Sequence, residues 1–70
     1  MNKDIIQGKW QEVKGKVRQQ WADFTDDDVA HMQGSYEELA GKIQKKYGYA
    51  KDRAEKEIDA FIEKNHFDKH

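Results

Sequence analysis

The sequence has 70 residues, enough for one domain, and its 13 basic and 14 acidic side chains almost cancel, leaving a net charge of −1. The absence of cysteine excludes disulfides and thiolate metal ligands, and no apolar run approaches the roughly 20 residues of a membrane span. Hydrophobic residues make up 36% of the chain and include two Trp and three Tyr, so we expect a small folded core rather than a disordered chain.

The first predicted helix ends near residues 22–24. Asn2 or Asp4 is its candidate cap, and Gly8 and Gly15 interrupt it. Its apolar residues stand three or four positions apart, the spacing of one helical face; they are Ile6, Trp10, Val13, Val17 and Trp21.

The segment TDDDV begins a second, short helix. Thr25 is the predicted N-cap, with Asp28 three residues later as the partner of a capping box. Val29 and Met32 form its apolar face. Gly34 is predicted to end it, because glycine tolerates the left-handed turn that follows many helices.

The segment SYEE begins a third helix. Ser35 and Glu38 have the spacing of a capping box, and Gly48 is the expected end of the helix. The predicted apolar face consists of Tyr36, Leu39, Ala40, Ile43 and Tyr47.

A fourth helix is predicted from about Ala50 to Lys64. Its apolar face comprises Ala50, Ala54, Ile58, Phe61 and Ile62. The ending NHFDKH lacks this period, so the sequence predicts one helical domain over residues 1–64 and a frayed tail over 65–70.

Residues 7–21 repeat, 26 positions later, as residues 33–47. Both copies contain G-x-x-x-E-x-x-G-K. Positions that are apolar or aromatic in one copy are usually apolar or aromatic at the equivalent position of the other. The repeat predicts two similar helical units within one bundle. Gly15 and Gly41 lie opposite the aromatic faces of their helices, so we expect either a locally soft helix or a close approach there by a neighbouring helix or a partner chain.

The polar residues do not form a recognisable catalytic or metal site. Consecutive side chains on a helix diverge by about 100°, so Asp26, Asp27 and Asp28 are interpreted as helix-capping residues rather than ligands of one cation. The three histidines, His31, His66 and His70, form no recognised metal motif; His66 and His70 stand four apart but lie in the tail that is predicted to fray. The chain has one Ser and no Cys. We therefore predict no catalytic residue, no bound cofactor and no bound metal, and we expect that the protein is not an enzyme.

Aromatic and basic residues leave a nucleic-acid-binding module open as an alternative. The aromatic residues Trp10, Trp21, Tyr36, Tyr47 and Tyr49 have the spacing of core residues, although a base-stacking platform uses the same types. A solvated face is the usual role of a basic cluster, but five cations near the third and fourth helices are candidate phosphate contacts: Lys42, Lys45, Lys46, Lys51 and Arg53.

Three stretches in this order resemble one family. GKWQEVKGKVRQQW, TDDDV and GSYEELAGKIQKKYGYAKDRAEKEID are similar to the CsbD-like family of small bacterial stress-response proteins, over about residues 5–60. Ala22 and Phe24 depart from residues that are common in the family. The resemblance implies an all-α fold, a compact array of four helices similar to SAM-like domains, and a cytoplasmic bacterial protein that is abundant under osmotic or stationary-phase stress.

The resemblance implies no catalytic residue and no defined biochemical activity. We therefore expect a non-enzymatic stress protein that shields client proteins or makes a specific helical contact. Self-association through the faces of Gly15 and Gly41 is a further expectation. No membrane contact is predicted.

Overall fold

The computed structural model describes residues 3–68, which form five helices and no β-strand. Their bounds are α1 Asp4–Gly8, α2 Trp10–Gln20, α3 Asp26–Ala30, α4 Tyr36–Tyr47 and α5 Lys51–Lys64. The radius of gyration is 10.9 Å, about the value expected for a folded chain of this length. The predicted all-α class and compactness are therefore confirmed.

The predicted first helix is two helices, so the expected count of four is wrong. Lys9 leaves the helical conformation, with φ −117° and ψ 27°. Its N–H donates to the Ile5 carbonyl, while its own carbonyl accepts from the N–H groups of Glu12 and Val13. Lys9 thus ends α1 and begins α2, and the break directly follows Gly8, a residue that disfavours helix interiors. Asn2, one proposed cap, lies outside the described residues.

The core is formed by apolar side chains from all five helices and the turns between them. Helix α4 packs mainly against α5, α1 contacts α2 and α4, and α2 contacts α3. No charged or other strongly polar side chain within residues 3–68 is buried. The buried residues are Ile6, Val13, Val17, Trp21, Phe24, Val29, Met32, Tyr36, Leu39, Ala40, Ile43, Ala54, Ile58, Phe61, Ile62 and Phe67.

Two side-chain caps begin α3 and α4. Thr25 and Asp28 form the predicted capping box, in which the Asp28 N–H donates to Thr25 Oγ1 at 3.1 Å and the Thr25 N–H donates to Asp28 Oδ2 at 2.9 Å. Ser35 caps α4 by accepting from the Glu38 N–H at 3.1 Å. The second box is incomplete, because Glu38 Oε1 accepts instead from the N–H groups of Gln33 and Gly34, each at 2.8 Å.

Gly34 makes the tightest backbone approach of any glycine in the structure. Its φ is +99°, and a Cβ at this position would lie 2.5 Å from Cγ of Trp10. The Trp10 side chain therefore lies directly against the backbone that precedes α4. The repeat does not give its two copies the same environment, since a Cβ on the counterpart Gly8 would have no neighbour within 4 Å.

Residues 65–68, which belong to the segment predicted as a frayed tail, form a turn. The His66 N–H donates to the Glu63 carbonyl at 3.2 Å and the Phe67 N–H to the Ile62 carbonyl at 3.1 Å, the two bonds of a Schellman motif. His66 has the required positive φ, 57°. Phe67 is buried, with its ring 5.4 Å from that of Phe61, and this burial holds the turn on the core.

We predict that Gly34→Ala lowers the free energy of unfolding by about 2 to 4 kcal/mol, because left-handed strain of about 1–2 kcal/mol adds to displacement of Trp10. Gly48→Ala is the matched control, since Gly48 also has a positive φ, +71°, but open space around its Cβ position. Its expected cost is the strain alone, about 1–2 kcal/mol. Urea denaturation of the three proteins measures the difference, and equal losses would contradict the Trp10 contact.

Candidate functional site

The five cations proposed as phosphate contacts separate into two groups. Lys42 and Lys46 face α3, where their Nζ atoms lie 3.8 Å from Oδ1 and 2.6 Å from Oδ2 of Asp28, respectively. The Lys46 ammonium also lies 5.7 Å from the centre of the Phe24 ring. These two lysines therefore join α4 to α3 within the chain, and part of their charge is already compensated.

Asp28 is the centre of this ion-pair cluster. Its carboxylate accepts from the Lys46 ammonium and the Thr25 N–H, and these bonds, the Lys46 bond foremost, hold the pKa of the Asp28 carboxyl well below its usual range. The side chain is only 19% exposed, so water screens the pair with Lys46 less than it would an open surface pair. One carboxylate thus caps α3 and anchors it to α4.

The other group of cations lies where α4 ends and α5 begins. Lys45, Lys51 and Arg53 are exposed. The Arg53 guanidinium stacks on the Tyr49 ring, 3.8 Å from its centre, and the Tyr49 ring stacks on that of Tyr47 at 5.4 Å. We call Lys45, Tyr47, Tyr49, Lys51 and Arg53 together the α4–α5 corner.

The aromatic residues divide between the core and this corner. Trp21 is buried, 4.9 Å from the Phe61 ring between centroids, and Tyr36 is buried with its hydroxyl donating to Asp59 Oδ1 at 3.0 Å. Burial, followed by the Asp59 carboxylate, raises the pKa of the Tyr36 hydroxyl far above its ordinary value. Trp10, Tyr47 and Tyr49 are only partly buried, so the expected core role describes Trp21 and Tyr36 best.

The carboxylates of Asp26 and Asp28, at the start of α3, have separate partners rather than one shared position. Asp26 Oδ1 pairs with Arg18 Nη1 at 2.6 Å, whereas Asp28 turns to Lys46. His31 Nδ1 lies 2.8 Å from the Asp27 carbonyl oxygen. Across residues 3–68, no group of three or more His, Cys, Asp or Glu side chains is arranged to hold a metal ion. His70 lies outside the described residues.

Gly15 and Gly41 are not approached by another part of the described chain. A Cβ on either would meet no atom of the described chain within 4 Å, so the space beside both glycines is open. Gly15 borders a shallow depression between α2 and α3, beside Val29 and below the Arg18–Asp26 ion pair. The approach of a partner chain to this face stays a prediction.

The fold and these surfaces define a small all-helical protein with an apolar core and a charge-rich exterior. A family model described as CsbD-like matches residues 4–56, and the chain belongs to that family. None of the helices in the described part is long and apolar enough to cross a membrane.

Curated bacterial relatives align over nearly the whole chain. The UPF0337 protein YjbJ of Escherichia coli O6:H1 is 53% identical over 66 residues, which are 94% of this chain and 94% of the relative. The protein of the same name from Escherichia coli K12 is 48% identical, with 96% of this chain and 97% of the relative covered. The UPF0337 protein PA4738 of Pseudomonas aeruginosa is 45% identical, with 91% and 98% covered.

Sequence reasoning missed the contact between Asp28 and Lys46 and the stacking of Tyr47 on Tyr49. The acidic excess of residues 25–39 and the basic excess of residues 40–53 signal that the second and third predicted helices could pair. The Tyr-Gly-Tyr sequence at 47–49 carries the other signal, since a left-handed glycine between two rings can reverse the chain and bring them together.

We predict that Asp28→Asn lowers the melting temperature at pH 7 more than Asp27→Asn, which also removes one charge from the first turn of α3. Because the pKa of Asp28 is lower in the folded chain than in the unfolded chain, its stabilising effect is present above about pH 5 and is lost as the pH falls further. The difference in stability between wild type and Asp28→Asn should therefore shrink between about pH 5 and pH 2. Circular dichroism melts across this range measure it, and a pH-independent difference would count against the ion pair.

We also predict that Gly15→Ala and Gly41→Ala each raise the free energy of unfolding by about 0.5–1 kcal/mol, because alanine restricts the unfolded chain and the added methyl meets open space. Urea denaturation at low protein concentration measures this gain. Sedimentation at high concentration is the companion measurement, because a dimer joined through these faces would be weakened by the same methyl groups. A loss of stability in the monomer would contradict the open environment.

Proposed function

We propose that this protein is a non-enzymatic bacterial stress-response protein that acts in the cytoplasm under osmotic or stationary-phase stress. Membership of the CsbD-like family supports the proposal, since the family resemblance implies such a role. The same resemblance suggests a SAM-like helix arrangement. Together with the sequence repeat of residues 7–21 and 33–47, we propose this arrangement as the finer description of the fold. The non-enzymatic part is supported by the lack of a nucleophile and base set in the sequence.

The observation that carries a protective role is the separation of charge from the core. Charged residues are 39% of the chain and mean hydropathy is −1.23, while no charged side chain of residues 3–68 is buried. Removing charged groups from water is costly, so a surface of this composition holds its hydration strongly. Such a molecule can stand between client proteins as water is lost and limit their contacts.

A specific contact is the other form that the protective role could take. The depression beside Gly15 is a candidate contact for a client or a second copy, because its lining combines apolar Val29 with the Arg18–Asp26 ion pair. In this form the folded surface matters, whereas simple hydration would need only the composition.

A deletion and complementation experiment tests the proposal. Deleting the gene is expected to reduce survival after osmotic shock, desiccation and prolonged starvation, and wild-type protein should restore it. Leu39→Asp, at a residue with no exposed surface, should unfold the chain, because it places a charge in the core. Gln19→Asp is the matched control, since it adds the same charge at an exposed position.

Restoration by Gln19→Asp but not by Leu39→Asp would assign the effect to the folded surface. Equal restoration by both would assign it to composition alone and remove the specific contact. Unchanged survival of the deletion strain under all three stresses would contradict the proposed role itself.

A further inference from the structure

The α4–α5 corner is a partly exposed stack of two aromatic rings and a guanidinium. Gly48, with φ +71°, reverses the chain so that the Tyr49 ring returns over the Tyr47 ring, with 23° between the two planes. The Tyr47 hydroxyl accepts from the Asp23 N–H at 3.2 Å, which fixes that ring against the loop before α3. Arg53 stacks on Tyr49 and is exposed, so the planar group belongs to the surface.

Lys45 and Lys51 are available to bind an external anion, whereas Lys42 and Lys46 already lie against Asp28. Neither Lys45 nor Lys51 forms an ion pair within residues 3–68, and both are exposed. Helix α5 begins at Lys51 without a side-chain cap, so its positive dipole end adds to the same surface. Asp52 and Asp23 are exposed acidic neighbours and limit the local field.

We propose that the α4–α5 corner binds single-stranded nucleic acid, with an unpaired base stacked on the Arg53–Tyr49 pair and the adjoining phosphates held by Lys45 and Lys51. Aromatic rings and guanidinium planes stack on any exposed base face, and neighbouring cations bind the backbone. Bases within a duplex are not available for this contact. The proposal is independent of the protective role, because it depends on a different surface property.

The structure also sets the scale of the interaction. Two cations that meet two phosphates give a salt dependence of about −1.4 in log K against log salt, since each contact to a single strand contributes about −0.7. Affinity should therefore fall about 7-fold between 50 and 200 mM salt. The net charge of −1 means that no long basic surface assists, so the site covers a few nucleotides only.

The test measures fluorescence anisotropy of a labelled 12-nucleotide oligothymidine titrated with the full chain at both salt concentrations. Saturable binding with the stated salt dependence is expected, together with much weaker binding of a 12-base-pair duplex. A non-saturable titration at 50 mM salt, or equal binding of strand and duplex, would overturn the proposal.

Four variants separate stacking from charge. Tyr49→Leu and Arg53→Lys should each weaken binding by about tenfold, because both remove a stacking surface and Arg53→Lys keeps the positive charge. Lys45→Gln combined with Lys51→Gln should reduce the salt slope by about 1.4. The matched control combines Lys56→Gln with Lys64→Gln, two exposed α5 lysines outside the corner, and should leave binding nearly unchanged.

Melting curves of all variants check folding, and Arg53→Lys keeps the stacking test valid if Tyr49→Leu is destabilised. Equal loss of binding in the control pair and in the corner pair would show attraction to the whole surface and overturn the assignment. If Arg53→Lys binds with unchanged affinity, and Tyr49→Leu is folded and also binds with unchanged affinity, the stacking part of the proposal is removed.

Discussion

The packing of Trp10 on the backbone of Gly34 is the constraint on which the spatial arrangement of the helices depends. The indole leaves no room for a Cβ at Gly34, and the backbone there has a φ of +99° that other residues rarely adopt. In the first turn of α4, Glu38 accepts hydrogen bonds from the N–H groups of Gln33 and Gly34. These bonds set the direction in which α4 begins. The Trp10 ring and the absence of a side chain at Gly34 therefore link the start of α2 to the start of α4, the helix that packs against α5.

The lysines of α4 and of the start of α5 differ in whether a carboxylate of the chain compensates them. On one side of α4, charge holds the short helix α3 in place, because Asp28 draws Lys46 and, at longer range, Lys42 into contacts within the chain. At the junction of α4 and α5, Lys45 and Lys51 are exposed and form no ion pair within residues 3–68. A nearly neutral chain can thus present a locally positive surface, because some of its carboxylates, such as Asp26 and Asp28, are paired within the chain.

Periodicity predicted the helices well because each buries one apolar face, and the cap residues Thr25 and Ser35 were evident from local hydrogen-bonding chemistry. It failed at Lys9, because the two helices on either side bury residues with the same spacing and the face continues across the break. The role of Gly34 as a packing site was not readable, since the contact with Trp10 depends on tertiary structure. The five candidate cations could be found by type, but only the position of Asp28 tells which of them are compensated.

The Schellman turn after α5 has a consequence for where this fold can be cut. The family match ends at residue 56, yet Ile58, Phe61, Ile62 and Phe67 are all buried beyond it. A fragment trimmed to the matched segment would leave Trp21 without the Phe61 ring and would open the base of α4 to water. The buried core therefore extends to Phe67. We expect a shorter piece to fold incompletely and to expose the Trp21 indole, which favours aggregation.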